Sequence, residues 1–120
     1  GANVTVISHK ENTPETLARH SDCAVLVNAT PVGMYPNVDV AVIEDMDFYH
    51  KIDVAYDLIF NPAVTKFMRL AETCGKRAYN GLKMLLFQGI IAYEYWNKVS
   101  VSDDAAAKVY DAMLEELIKR

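Results

Sequence analysis

"VLVNATPVGMYPN", Val25 to Asn37, is an apolar run of strand length that stops abruptly in small and turn-forming residues, then carries Met34 and Tyr35 into a loop. From Cys23 to Asn28 the run is continuous rather than alternating, the pattern of a parallel-sheet strand covered on both faces. A strand that only had to turn round needs fewer special residues. Asn28, Ala29 and Thr30 are small, Pro31 withholds an N–H, and Gly33 frees the loop backbone. Small residues at a strand's carboxyl end let a flat ligand approach the backbone closely. An ordinary tight turn is the other reading of the same composition.

The flanking segments support the parallel sheet. "ANVTVIS", Ala2 to Ser8, alternates and is β-branched, which predicts a strand. Thr13 and Pro14 read as N-cap and first position of a short helix through about His20. "IDVAYDLIF", Ile52 to Phe60, is a second buried strand, and Asn61-Pro62 repeats the cap-and-proline signal for a helix ending near Cys74, with Gly75 as its stop. "KRAY" is a short edge or inner strand. A helix is expected from Gly81 to about Asn97, with Leu82, Leu85, Leu86, Ile90 and Tyr93 on its apolar face. Ser102 caps a last helix, whose stripe is Val109, Met113 and Leu117, with Asp103 and Asp104 at its positive end. Strands alternating with helices predict an α/β fold, in which ligands sit outside the carboxyl ends of the strands. Those ends are Ser8-His9-Lys10, Asn28-Ala29-Thr30 and Asp57 to Asn61.

With 120 residues, 52% of them hydrophobic, the chain suits one compact domain with a real core. A net charge of −4 and the lack of a Lys/Arg cluster argue against a nucleic-acid surface. The apolar runs are too short to span a membrane, and no charged-then-apolar signal segment opens these residues, so the expected compartment is the cytoplasm. Cys23 and Cys74 lack metal-ligand spacing and read as reduced thiols. His20 and His50 read as surface histidines. No metal site is expected. Asp57 reads equally as a ligand group and as a cap on neighbouring backbone.

"NATPVGMYPN", "YDLIFNP", "GLKMLLFQ" and "AYEYW" follow one another as in the shikimate dehydrogenase family, which the chain resembles from about Val4 to about Trp96. The resemblance is to the carboxyl-terminal, NADP-binding portion of two-domain enzymes that reduce 3-dehydroshikimate to shikimate with NADPH, on the route to aromatic amino acids. It implies a Rossmann-like parallel sheet flanked by helices. It also implies that residues 1–120 form a partial dinucleotide-binding domain, carboxyl-terminal helices included, without the catalytic amino-terminal domain. Asn28, Ala29 and Thr30 would line the cofactor groove near the nicotinamide. Leu58 would touch the nicotinamide ribose or ring, and Gly81 would give its backbone to the nicotinamide amide. Gln88 would reach the shikimate or 3-dehydroshikimate substrate. Independently, a glutamine among these apolar residues must find hydrogen-bond partners or face a cavity, since burying a bare amide costs about 1–3 kcal/mol, and a bond to a neighbouring loop is the plain alternative. Ser8, His9 and Lys10 fall where the family often has Asn-Arg-Thr, whose arginine holds the 2′-phosphate; a solvated polar pair is the plain alternative for His9 and Lys10. Lysine offers only a point charge there, and histidine helps only when protonated, so NADP affinity is expected to weaken as pH rises through about 6.5.

The chain also departs from the family. The glycine-rich turn that cradles a pyrophosphate would precede Gly1, together with the central first strand, so the sheet is expected to lack both. The family's catalytic lysine and aspartate have no counterpart, and no catalytic residue is assigned. Phe60 stands at a substrate-binding position where the family usually has tyrosine; losing a hydroxyl bonded to a charged group costs roughly 1.5–3 kcal/mol, which opens a quinate/shikimate-type substrate as well. Between Lys10 and Asp22 there is no room for a further strand. These features read as a piece of a longer enzyme with Gly1-Ala2 as the tail of a helix-to-strand turn. Its open strand edges invite a homodimer or strand-mediated self-association. NAD in place of NADP stays open, as does a non-catalytic nucleotide-binding or interaction module.

Overall fold

The computed structural model describes residues 3–20 and 24–119. Three short parallel strands, β1 (Val25–Asn28), β2 (Val54–Asp57) and β3 (Arg77–Tyr79), lie in the order β1-β2-β3, with Asn28 level with Asp57 and Tyr56 level with Tyr79. Five helices connect and follow them: α1 (Pro14–His20), α2 (Met46–His50), α3 (Lys66–Thr73), α4 (Leu82–Asn97) and α5 (Asp103–Ile118). The expected α/β parallel class is therefore present. Thr13 Oγ1 accepts the Thr16 N–H at 3.3 Å, as its capping role requires, and Gly75 ends α3 with φ +76°. At the start of α5, Ser102 accepts from the Ala105 N–H at 3.1 Å.

Several elements differ from the sequence expectation. Asn3 to Ser8 is exposed and forms no strand, and no strand among the described residues pairs with it; Ala2 lies outside them. A 3-10 turn, His9–Glu11, follows. The strand expected from Cys23 begins at Val25, and that expected over Ile52 to Phe60 contracts to Val54–Asp57. α3 starts at Lys66 and not at Pro62: its N-cap is Thr65, which accepts the Met68 N–H at 3.2 Å, while Asn61-Pro62 is a cis peptide in the preceding loop. The short α2 carried too little periodicity to be foreseen.

The core lies on one side of the sheet. Phe48, Tyr49, Ile52, Phe67, Met68 and Ala71 pack against Ala24 and Ala55, with Tyr49 edge-on to both Phe48 and Phe67. Burial pushes the Tyr49 hydroxyl above its ordinary range, and it donates to the Ile43 carbonyl at 2.6 Å. The opposite face carries Val25, Val27, Val54, Tyr56, Arg77 and Tyr79, and Val25 and Val27 remain 66% and 51% exposed. The expected parallel sheet flanked by helices is present, with α3 packed on β2 and β3, but the covering of both faces is incomplete at Val25 and Val27. The chain is also less compact than expected. The radius of gyration is 16.8 Å, against about 14 Å for a compact domain of this length.

Cys74 is a free, half-buried thiol, whereas Cys23 and Gly1 lie outside the described residues, as does the side chain of His20. His50 is exposed. No group of described residues could hold a metal ion.

Candidate functional site

The parallel register places the ends of β1 and β2 side by side, and a buried polar network joins them. Asp57 is fully buried. One carboxylate oxygen accepts from the Asn28 side-chain amide at 3.1 Å and the Ile59 N–H at 3.0 Å; the other accepts from the Thr65 hydroxyl at 2.7 Å. This resolves Asp57 as a group that bonds its neighbours from inside the fold. Asn28 uses its whole amide: the nitrogen also donates to the Val32 carbonyl at 3.3 Å, and the oxygen accepts from the Thr30 N–H at 3.1 Å and hydroxyl at 2.7 Å. The Asn28 side chain therefore faces inward, shaping the strand end without offering a free donor.

In front of this network lies a cavity of about 190 Å³ lined by Ala29, Thr30, Pro31, Met34, Leu58, Ile59, Phe60 and Asn61. Two loops close it: the Tyr35 N–H donates to the Asn61 carbonyl at 3.1 Å, and Gly33 turns the first loop with φ +96°. Gly81 stands directly behind Leu58. Its N–H donates to the Ile59 carbonyl at 3.0 Å, its carbonyl accepts from the Leu85 N–H, and a Cβ there would overlap the Leu58 carbonyl oxygen. Glycine is required at this position by the close approach of two backbones.

The structure brings Ala29, Thr30, Leu58 and Phe60 together, with Asn28 and Gly81 as their support. It does not bring Ser8, His9, Lys10 or Gln88 to the cavity wall. Ser8, His9 and Lys10 are exposed along the 3-10 turn, where the Glu11 carboxylate accepts the Ser8 N–H at 2.7 Å and is held by that bond below the usual carboxylate range. Gln88 is exposed on α4, beside Met84, Phe87 and Ile91, so the burial argument for it does not apply in this chain. Phe60 is 37% exposed and, with Asn61, also borders an apolar cavity of about 560 Å³ beneath α4 and α5. Asn61, Met34 and Thr65 were missed as site residues. The first two sit inside the quoted motifs, so the motifs themselves carried the signal; nothing local marks Thr65 as a partner of Asp57.

No helix among the described residues is long and apolar enough to cross a membrane. No protein-family model matches the chain. The NADP+-dependent shikimate dehydrogenase of Clostridium perfringens is 40% identical over 89 residues, which are 73% of this chain and 32% of that protein. A chorismate mutase/shikimate 5-dehydrogenase fusion protein from Clostridium acetobutylicum superposes with a TM-score of 0.78 at 32% identity, over 88% of this chain and 39% of that one. The shikimate 5-dehydrogenase of Listeria monocytogenes, in complex with shikimate and NAD, superposes with a TM-score of 0.69 at 27% identity, over 84% of this chain and 34% of that one. The chain spans about a third of the length of the curated relatives it matches. Identity at this level, carried by the same α/β arrangement of strands and helices, gives the relationship: the chain belongs to the shikimate dehydrogenase family.

Proposed function

We propose that these residues are part of the dinucleotide-binding domain, carboxyl-terminal helices included, of an NADP-dependent shikimate dehydrogenase that reduces 3-dehydroshikimate to shikimate. The observation that carries the reading is the cavity at the ends of β1 and β2, where Ala29, Thr30, Leu58 and Phe60 converge. Its fit to a nicotinamide rests on shape: small residues at the strand ends, a Leu58 backbone held from behind by Gly81, and a Thr30 hydroxyl on the wall. NADPH, when bound, supplies a hydride to the ketone carbon of the substrate. The protein's own residues orient the two reactants, and the proton for the new hydroxyl comes from an acid outside these residues.

In this reading Asn28, Ala29 and Thr30 shape the nicotinamide side of the groove, Leu58 lies against the ring or its ribose, and Gly81 supports that contact from behind. Ser8, His9 and Lys10 face the 2′-phosphate, with Lys10 as a point charge. Gln88 and Phe60 face the substrate. Phe60 lacks a hydroxyl, which favours as second reading a quinate/shikimate-type substrate. The relatives named for NADP+ and for NAD leave both nucleotides to be compared.

Calorimetric titration of NADP+ and NAD+ into the chain tests the assignment. Lys10→Ala is expected to weaken NADP+ binding and leave NAD+ binding unchanged, and Gln88→Ala is expected to leave both unchanged in the absence of substrate. A folded chain that binds neither nucleotide counts against the groove.

A further inference from the structure

The buried carboxylate of Asp57 has three donors and no cationic partner among the described residues. A buried carboxylate is costly unless it is hydrogen-bonded, and these three donors meet that need. A carboxylate only accepts, so it dictates which end of the Asn28 amide faces it: the nitrogen must point toward Asp57 and the Val32 carbonyl, and the oxygen toward Thr30. The reversed amide would set its oxygen against two acceptors and its nitrogen against the Thr30 N–H. The selected orientation is then passed outward. Thr30, held through its N–H and hydroxyl, accepts the Val32 N–H at 3.2 Å, which fixes the turn Ala29 to Val32 on the cavity wall. Inward, the same carboxylate is tied to Thr65, the cap of α3.

We propose that Asp57 and Thr65 are positioning residues for the strand-end groove: without lining it, they set the orientation of Asn28 and so the backbone against which a ligand lies. The inference rests on the nucleotide reading for its functional half, and its structural half stands alone. The chemistry that matters is acceptance of hydrogen bonds and not charge. In Asp57→Asn the side-chain oxygen still accepts from Asn28 and Ile59, so the bonds on the groove side persist; the loss falls on Thr65, whose hydroxyl gives up its acceptor while still accepting from Met68. In Asp57→Leu, three donors lose their acceptor together.

The test combines amide exchange by NMR with NADP+ titration on the 120-residue chain. Asp57→Leu is expected to speed exchange at the Thr30 and Val32 amides and at the Asn28 side chain by about tenfold or more, the scale of one unsatisfied buried donor, and to weaken NADP+ binding comparably. Asp57→Asn is expected to leave both near the parent values, a rescue that bulk loss of stability does not give. If Asp57→Leu fails to fold, Thr65→Val carries the comparison, with the same direction and a smaller effect. Parent-like exchange at Thr30, Val32 and Asn28 in Asp57→Leu or Thr65→Val overturns the proposal, as does faster exchange with unchanged NADP+ affinity. A parent chain that binds no NADP+ sinks the nucleotide reading, while the exchange data still decide whether Asp57 sets the loop.

Discussion

At Gly81 the missing side chain is what lets the start of α4 sit against the end of β2. The Leu58 carbonyl occupies the space a Cβ needs, and the Gly81 N–H bond to Ile59 prevents a retreat. Gly81→Ala is expected to cost about 1–3 kcal/mol by overpacking, read as a lowered urea midpoint at unchanged slope. The motif marked Gly81 as important, but through its backbone groups, both of which prove to be occupied within the fold; close approach between distant segments leaves no local trace in a sequence. Glu11 is a second case. Its carboxyl, lowered by the Ser8 N–H, stays ionised through neutral pH next to His9 and Lys10, where it would oppose the phosphate of the proposed NADP site. Glu11→Gln is expected to raise the preference for NADP+ over NAD+ a few-fold, less at high salt, by titration of both nucleotides. Because the folded value lies below 4.5, the contact supports the turn fully above the ordinary glutamate range and is lost as pH falls through the lowered value.

Helix ends separate what was legible from what was not. Ser102 caps α5 where the sequence placed it, and Ser102→Ala is expected to cost about 1 kcal/mol, visible as reduced helicity by circular dichroism. Before α3 two signals compete, Asn61-Pro62 and Thr65. The second prevails because Thr65 satisfies the Met68 N–H and the buried Asp57 at once, and that tertiary demand cannot be read locally. α4 was legible as a helix, but its surroundings were not. Besides the expected stripe it bears Met84, Phe87 and Ile91 on a second, exposed face, and even the seam with α5 leaves a cavity of about 380 Å³. A helix apolar on several sides belongs in a larger interior than this chain supplies.

Over the whole molecule, the α/β class and the parallel pairing could be read from continuous apolar runs. The bare sheet face could not, since such a run tells that a strand is meant to be covered without telling by what. The strand-end cavity was legible for the residues within the quoted motifs and illegible for the network behind them. The uncovered Val25 and Val27 on β1, whose outer edge has no partner among the described residues, and the exposed Tyr79 on the other edge strand, β3, make concentration-dependent association the expected behaviour of this chain. Val27→Lys is expected to shift sedimentation toward the monomer at equal concentration, with the helical signal retained.

The sheet's register has a kinetic consequence. Asn28 and Asp57 face each other across 29 residues of chain, and parallel strands cannot be joined by a hairpin, so no strand pair in this sheet can form from a local turn. A long loop must close before the first ladder bond repays its lost entropy, while α4 and α5 are joined by the short connection 98–102, so their packing can begin beside it and spread. Refolding is therefore expected to gain helix first and the sheet last, with the strand end that holds the cavity among the final parts to take shape.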